Sequence, residues 1–421
     1  MMLSRLTNVV LRCLTLGSKF FLFFFLAKYL SPSELGVYGL IVASISYSLL
    51  VIGFDFYTFS NRDLIKTEKI YWAAKLRDQT IVYAIIYIAL IPLFVLLFLF
   101  NVLPRSYFFF FTILLILEHI AQELNRLYIV MSEQLLASII LFVRNGFWCF
   151  IVVPFMAFLP AYRTIETVML AWLLGVLSAC LLATTRLKDL DKVSLANQIN
   201  WKWIKSGVIV AIPMLCSTLA VRGLFTFDRY LVHWLSGSDI LGAYVLFMSI
   251  GNSLLSFLDA GVIVFMYPKL VELAHSNNGA LFNKNMLTLF YQSVGVLFLM
   301  SALTLICLEP LLTWVGKSFY LDHSNMFILI IIAMSIFSLS LVPQIGLYAH
   351  NKDMPIILSH IAGLATFFAL FLATKNLLHS LTVPYALIGA CLIVLIIKTY
   401  AFFKLQKSIC TKAGKEVVCQ R

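Results

Sequence analysis

The chain has 421 residues, 62% of them hydrophobic and only 12% charged, with a formal net charge of +12. A soluble domain is nearer half apolar and a quarter charged, so no single water-facing core holds this much apolar surface, and lipid must be the solvent. The positive charge alone would suit nucleic acid, but it sits in short connections between apolar runs, where it reads as a topology signal instead.

Twelve helices are predicted in chain order. The first, 7–30, carries Arg12, Lys19 and Lys28. Its lysines interrupt the apolar run and no small-x-small site follows, so it does not read as a cleavable signal peptide. A turn, LSPSELGVYGL from Leu30, leads to the second helix, 37–60, which holds Asp55 near its end. The third and fourth span 79–101 and 105–130. In the fourth, LEHIAQELNR puts Glu118, Gln122 and Asn125 on one face with His119, Glu123 and Arg126 alongside. That stripe is either a wet surface on which a buried acid carries protons or a hydrogen-bonded seam between helices. The fifth helix, 135–159, contains Arg144, and the sixth is 165–187.

A cytoplasmic linker, 191–204, is expected between a first domain, 1–190, and a second, 205–404, followed by a tail, 405–421. The seventh helix, 205–234, carries Pro213, Arg222, Asp228 and Arg229. Pro213 frees a backbone carbonyl, which gives either a bending gate or a static kink. LSGSDILGAYVL follows from Leu235, and then the eighth helix, 241–268, with Asp259. Helices at 285–309, 323–349, 355–374 and 380–403 complete the set.

The two turn sequences share Leu-Ser-x-Ser-acid and Gly-x-Tyr-x-Leu, and SYSLL with Asp55 is echoed by GNSLL with Asp259. The offset stays at 204–206, which marks a candidate internal duplication. Six helices per half is an even number, so both halves enter the membrane in one orientation, as a parallel repeat about an axis along the membrane normal. With the N-terminus in the cytoplasm, 21 Lys and Arg fall inside, the last six running from Lys398 to Arg421, and only Arg105, Arg163, Lys317 and Lys375 fall outside. The positive-inside rule thus places both termini in the cytoplasm.

No connection is long enough for a soluble domain with its own core. Short external loops argue against a membrane glycosyltransferase or an O-antigen polymerase, and a Walker-type phosphate loop is absent. Eight scattered cysteines and seven histidines show no metal-ligand spacing, so neither metal nor cofactor is expected.

Six basic residues remain inside helices: Arg12, Lys19, Lys28, Arg144, Arg222 and Arg229. Each costs about 2.5–3.5 kcal/mol or more at mid-bilayer unless it faces a polar cavity, pairs or snorkels. Arg12 and Lys28 lie near helix ends, where snorkelling is open to them; Lys19 and Arg222 lack that exit. Arg12 and Lys19 are seven apart, as are Arg222 and Arg229, on helices that correspond in the two halves. Two basic stripes with Arg144 would line a cationic cavity for an anionic ligand such as a pyrophosphate. The acids Asp55, Glu118, Glu123, Asp228 and Asp259 temper that cavity as gating or ion-coupling candidates. Asp55 and Asp259 read as partners for basic loops, as a lock between halves or as substrate contacts.

AKYLSPSELGVYGL, the second helix ending near GFDFYTFSNRDLI, and FDRYLV in the seventh resemble the polysaccharide transporters, the O-antigen-unit flippases of Wzx type. These belong to the multidrug/oligosaccharidyl-lipid/polysaccharide exporter superfamily. The resemblance implies a MATE-like all-α fold of two six-helix bundles in the bacterial inner membrane. It also implies a function: moving an undecaprenyl-pyrophosphate-linked oligosaccharide to the periplasmic leaflet by alternating access. Partners on this reading are the lipid-linked oligosaccharide, membrane lipids, an O-antigen polymerase and a chain-length regulator. The competing reading is a cation-coupled multidrug exporter of the same fold.

Overall fold

The computed structural model describes residues 2–185, 187, 193–276 and 279–419, without the side chains of 2–6, 9 and 409–419. Arg186, Lys188, Lys192 and Arg421, assigned above to the cytoplasmic side, lie outside the described residues, as do the side chains of Arg5, Lys412 and Lys415 and the expected 190/191 domain boundary. The described chain is helical throughout its apolar runs and divides into two compact units, Met1–Leu219 and Ala220–Arg421. Among the described residues, ten continuous helical stretches are long and apolar enough to cross a membrane. Two of them hold a reversal each: Trp201–His275 turns at Gly237, with φ 81°, and Asp353–Ser408 turns at His379, with φ 47°. The protein is therefore a multi-pass membrane protein, and the described residues accommodate the twelve expected crossings.

In the first unit the helices are α1 (Met2–Tyr29), α2 (Pro32–Gly53), α3 (Tyr57–Lys66), α4 (Trp72–Leu99) and α5 (Phe108–Val130). They continue as α6 (Gln134–Phe142), α7 (Trp148–Phe158), α8 (Ile165–Thr184) and the start of α9 (Trp201–Leu258). The turn after α1 is built as its sequence suggests. Ser31 caps α2 by accepting from the Glu34 amide at 3.2 Å, the Glu34 carboxylate returns to the Ser31 amide at 2.8 Å, and Pro32 opens the helix. α2 ends earlier than expected because Phe54 and Asp55 both adopt left-handed backbone, φ 51° and 48°, which lets α3 start in a new direction. Small residues let α5, α6 and α8 approach: Ala137, Ala179 and Ala183 surround Tyr128, whose hydroxyl donates to the Ala183 carbonyl.

Residues 195–203, expected as linker, are pinned onto this unit. Arg77 donates to the carbonyls of Leu195 (2.8 Å) and Gln198 (3.3 Å), and Asp78 accepts from the Asn200 amide at 3.0 Å. Trp203 donates to Asp63 at 2.8 Å and packs on Phe56 and Phe59. Gly207 seats α9 there, since a Cβ would lie 2.5 Å from the Phe56 ring. The seventh crossing thus begins within the first unit, and the division falls at Leu219, part-way along α9.

In the second unit the rest of α9 is followed by α10 (Val264–His275), α11 (Gly279–Val315), α12 (Ser318–Asp322) and α13 (Ser324–Leu339). It closes with α14 (Leu341–Ala349), α15 (Asp353–Leu378) and α16 (Thr382–Cys419). The second copy of the turn motif supplies the reversal at Gly237, where left-handed backbone replaces the Ser-Pro start of the first copy. Burial also follows the repeat. The third crossing of each unit, in α4 and α11, is the most lipid-exposed, with 17% and 11% of its apolar window buried. The second crossings, α2 and the run 241–254, are mostly buried.

Candidate polar sites within each unit

The first unit builds a polar cluster at membrane depth around Glu118. One of its carboxylate oxygens pairs with the Arg144 guanidinium, and the other accepts from Trp172 Nε1 at 2.6 Å. Arg144 reaches Glu118 from a π-helical turn, Val143–Phe147, between α6 and α7. Such a turn inserts one residue into the helix and re-aims its side chains. Two glycines allow the close packing. A Cβ on Gly146 would lie 2.8 Å from Ser18 Oγ of α1, and one on Gly175 would lie 2.6 Å from Trp148. Trp148 therefore lies flat against α8, stacked on Trp172 at 6.5 Å, and donates to the Arg144 carbonyl at 3.2 Å. Tyr38 meets the edge of Trp172 at 6.4 Å and is buried.

Lys19 comes off α1 beside this cluster, where Glu118 and Arg144 are the charges acting on it; its side chain keeps open surface although protein surrounds it and desolvates it. Two cations therefore stand against one carboxylate, and only Arg144 is ion-paired. Arg12 is exposed and Lys28 half-buried.

Further along α5 the polar stripe forms a second cluster. Glu123 accepts from Tyr83 Oη (2.8 Å) and Gln79 Nε2 (2.9 Å) of α4 and pairs with Arg126, whose guanidinium lies 3.6 Å over the Tyr57 ring. Burial pushes the Tyr57 phenol up against the opposing pull of Arg126, so Tyr57 stays neutral. His119 packs edge-on to Tyr83 at 4.6 Å and meets Tyr87 Oη at 3.2 Å; its Nε2 is buried with no partner among the described residues. Asn125 donates to the Ala137 carbonyl at 2.6 Å. Most of the stripe is thus spent on helix-to-helix hydrogen bonds. Asp55 is buried at the left-handed break after α2.

In the second unit Asp228 is fully buried and accepts from Tyr244 Oη and the Arg229 amide, both at 2.7 Å. Arg229 is half-buried with its Nε unpartnered among the described residues, and Arg222 is exposed. α9 is irregular at Phe225 (φ −96°, ψ 19°), between Arg222 and Asp228. Asp259 is exposed at the start of a π-helical turn, Asp259–Ile263. The two echoed aspartates therefore both mark backbone irregularities, left-handed in one unit and π-helical in the other.

One basic residue is packed inside a unit rather than lying on a surface. Lys398, counted with the cytoplasmic basic residues, is fully buried in the second unit, donating to Gln344 Oε1 at 2.7 Å. α16 is helical straight through this position, so nothing in the one-dimensional pattern tells an inward-pointing lysine from a surface one. Trp148, Trp172, Gln79, Tyr83 and Tyr244 were also not singled out. Only their amphipathic character inside apolar helices signalled that each would seek a polar partner.

No protein-family profile and no curated protein matches the sequence. Solved structures do. The inward-facing conformation of a multidrug resistance MATE family transporter of the MOP superfamily is similar at TM-score 0.73 and 10% identity, covering 96% of this chain and 99% of that one. A MATE structure in the bent conformation aligns at TM-score 0.60 and 12% identity over 98% and 97%. An outward-facing multidrug resistance MATE transporter aligns at 0.60 and 13% over 96% of each chain. The fold is MATE-like, as the sequence reading expected.

Proposed function

We propose that this chain is a flippase. It moves undecaprenyl-pyrophosphate-linked O-antigen units from the cytoplasmic to the periplasmic leaflet of a bacterial inner membrane by alternating access, with both termini in the cytoplasm. The fold supports transport rather than catalysis, since the similar solved structures are transporters. The observation that carries the anionic cargo is that each unit exposes a cation at membrane depth, Lys19 in one and Arg222 in the other. Neither is in an ion pair among the described residues. An exposed, unneutralised cation in hydrocarbon is unfavourable unless something anionic or aqueous meets it. Arg144 acts indirectly on this reading, because its charge is spent on Glu118.

Replacing Lys19 or Arg222 with glutamine is expected to abolish surface polysaccharide in a complementation strain without lowering protein abundance. Single units would accumulate on the cytoplasmic leaflet in a depletion strain and be released when the gene is restored. Normal polysaccharide in both variants would remove the cation assignment, and units reaching the outer leaflet without the protein would remove the flippase reading.

A second reading, a cation-coupled multidrug exporter, is favoured by the multidrug transporters of the same fold and by the buried carboxylate of Asp228. It predicts new drug sensitivity with unaltered polysaccharide on depletion.

A further inference from the structure

Among the buried groups the proposed transport does not use, Lys398 is the least expected. Its side chain has no solvent exposure, so it does not snorkel. The Nζ donates to Gln344 Oε1 at 2.7 Å, lies 3.5 Å from Ser340 Oγ and stands 5.9 Å from the Phe337 ring centroid. An ammonium has three donors and no acceptor, and two oxygens with one aromatic face give it a near-complete shell. That shell lacks a compensating charge: among the described residues no carboxylate is ion-paired with Lys398.

The helices packed against α16 carry few groups that titrate. α13 has none; α14 has Tyr348; α15 has Asp353, His360 and Lys375; the turn before α16 has His379; and Cys391 stands two turns back on α16 itself. α9, whose Phe225 ring packs on Phe337 at 4.9 Å, brings Arg222, Asp228, Arg229 and Tyr244.

The three ligating residues straddle a discontinuity. α13 stops at Leu339 and α14 begins at Leu341, with Ser340 at the junction. Pro343 explains the break, because it has no amide to offer the carbonyl four residues earlier, that of Leu339. Ser340 turns its hydroxyl back onto the Phe337 carbonyl at 2.6 Å. Phe337 lies before the break and Gln344 after it, so the one ammonium braces both sides.

We propose that Lys398 is a proton-binding site of the second unit. Its charged form ties α13 to α14 through Phe337, Ser340 and Gln344. Its neutral form, made when the proton leaves to water, loses the charge-assisted and cation–π parts of that brace and lets the break flex. Lysine suits this role where arginine would not, because a buried amine gives up its proton and a guanidinium does not. The proposal does not depend on the cargo: it concerns what drives the fold.

The test is hydrogen exchange of the 337–349 segment in the full-length protein in lipid nanodiscs, corrected for intrinsic rates, between about pH 6 and pH 9. Wild type is expected to lose protection there by at least about threefold as the pH rises, with distant helices unchanged. Lys398→Arg should stay flat and protected; Lys398→Met should stay flat and unprotected. Wild-type protection that ignores pH, or a pH response that survives in either variant, would overturn the proposal. If Lys398→Met does not fold, Gln344→Leu removes the 2.7 Å acceptor and keeps the lysine. Its transition should move to lower pH, because the charged form has lost its best partner, and an unmoved transition counts against the site. Failure of the polysaccharide experiment would leave this result standing, and the reverse holds equally.

Discussion

Arg144 and Glu118 were both anticipated as charges stranded in the membrane, yet they differ from Lys19 in what they can do. A buried guanidinium and carboxylate in contact neutralise one another, and removing either leaves the other uncompensated at a cost of about 3–5 kcal/mol. Glu118→Gln and Arg144→Met should each destabilise the purified protein by that order, read as a fall in its thermal-unfolding midpoint. The double variant should recover at least about 1 kcal/mol of the summed loss, since the two sites share one interaction. Strict additivity would show that the pair is not coupled. Trp172 adds to the pair by donating to the second Glu118 oxygen, so that carboxylate has a partner on each oxygen without water.

At the scale of elements, helices meet here through glycine and alanine rather than through a hydrophobic drive, because lipid is as apolar as any side chain. Gly175 is the sharpest case: a methyl there would push into Trp148, which carries the stack on Trp172 and the bond to Arg144. Gly175→Ala should destabilise by about 1–3 kcal/mol, as overpacking does. Gly295→Ala, on a helix where nothing lies within 4 Å of the added carbon, should be neutral or mildly stabilising. Equal effects of the two on the melting midpoint would mean that the α7–α8 contact is looser than it looks. The same logic explains why element boundaries were the least legible feature. The left-handed pair Phe54–Asp55 and the π-turns at Val143–Phe147 and Asp259–Ile263 leave no propensity signature, because packing imposes them.

For the molecule as a whole, each of the two turn sequences stands between the first and second crossings of its half of the chain, and the third crossing of each half is the most exposed. Parallel repeats of six crossings require corresponding loops to share a side of the membrane. Reporters fused at Lys69 and Lys352 should read cytoplasmic, and reporters at Arg105 and Lys317 periplasmic. A reporter at Lys317 that shares the side of Lys352 would break the even count in the second unit and with it the parallel repeat.

Composition alone determined that the chain lives in lipid, because 62% hydrophobic residues leave no aqueous alternative. Periodicity and loop charge gave the crossings and the expected orientation, and the echoed turns gave the repeat. Those are properties of one helix at a time, set by hydrocarbon thickness and by hydrogen bonding within the segment. Tertiary structure decided which in-membrane charges are spent and which stay exposed. Arg144 finds Glu118, 26 positions away; Asp228 finds Tyr244; and Lys398 finds Gln344, 54 positions away. A partner on another helix is invisible to any window along the chain, and the energy of a buried charge depends on that partner more than on the residue itself.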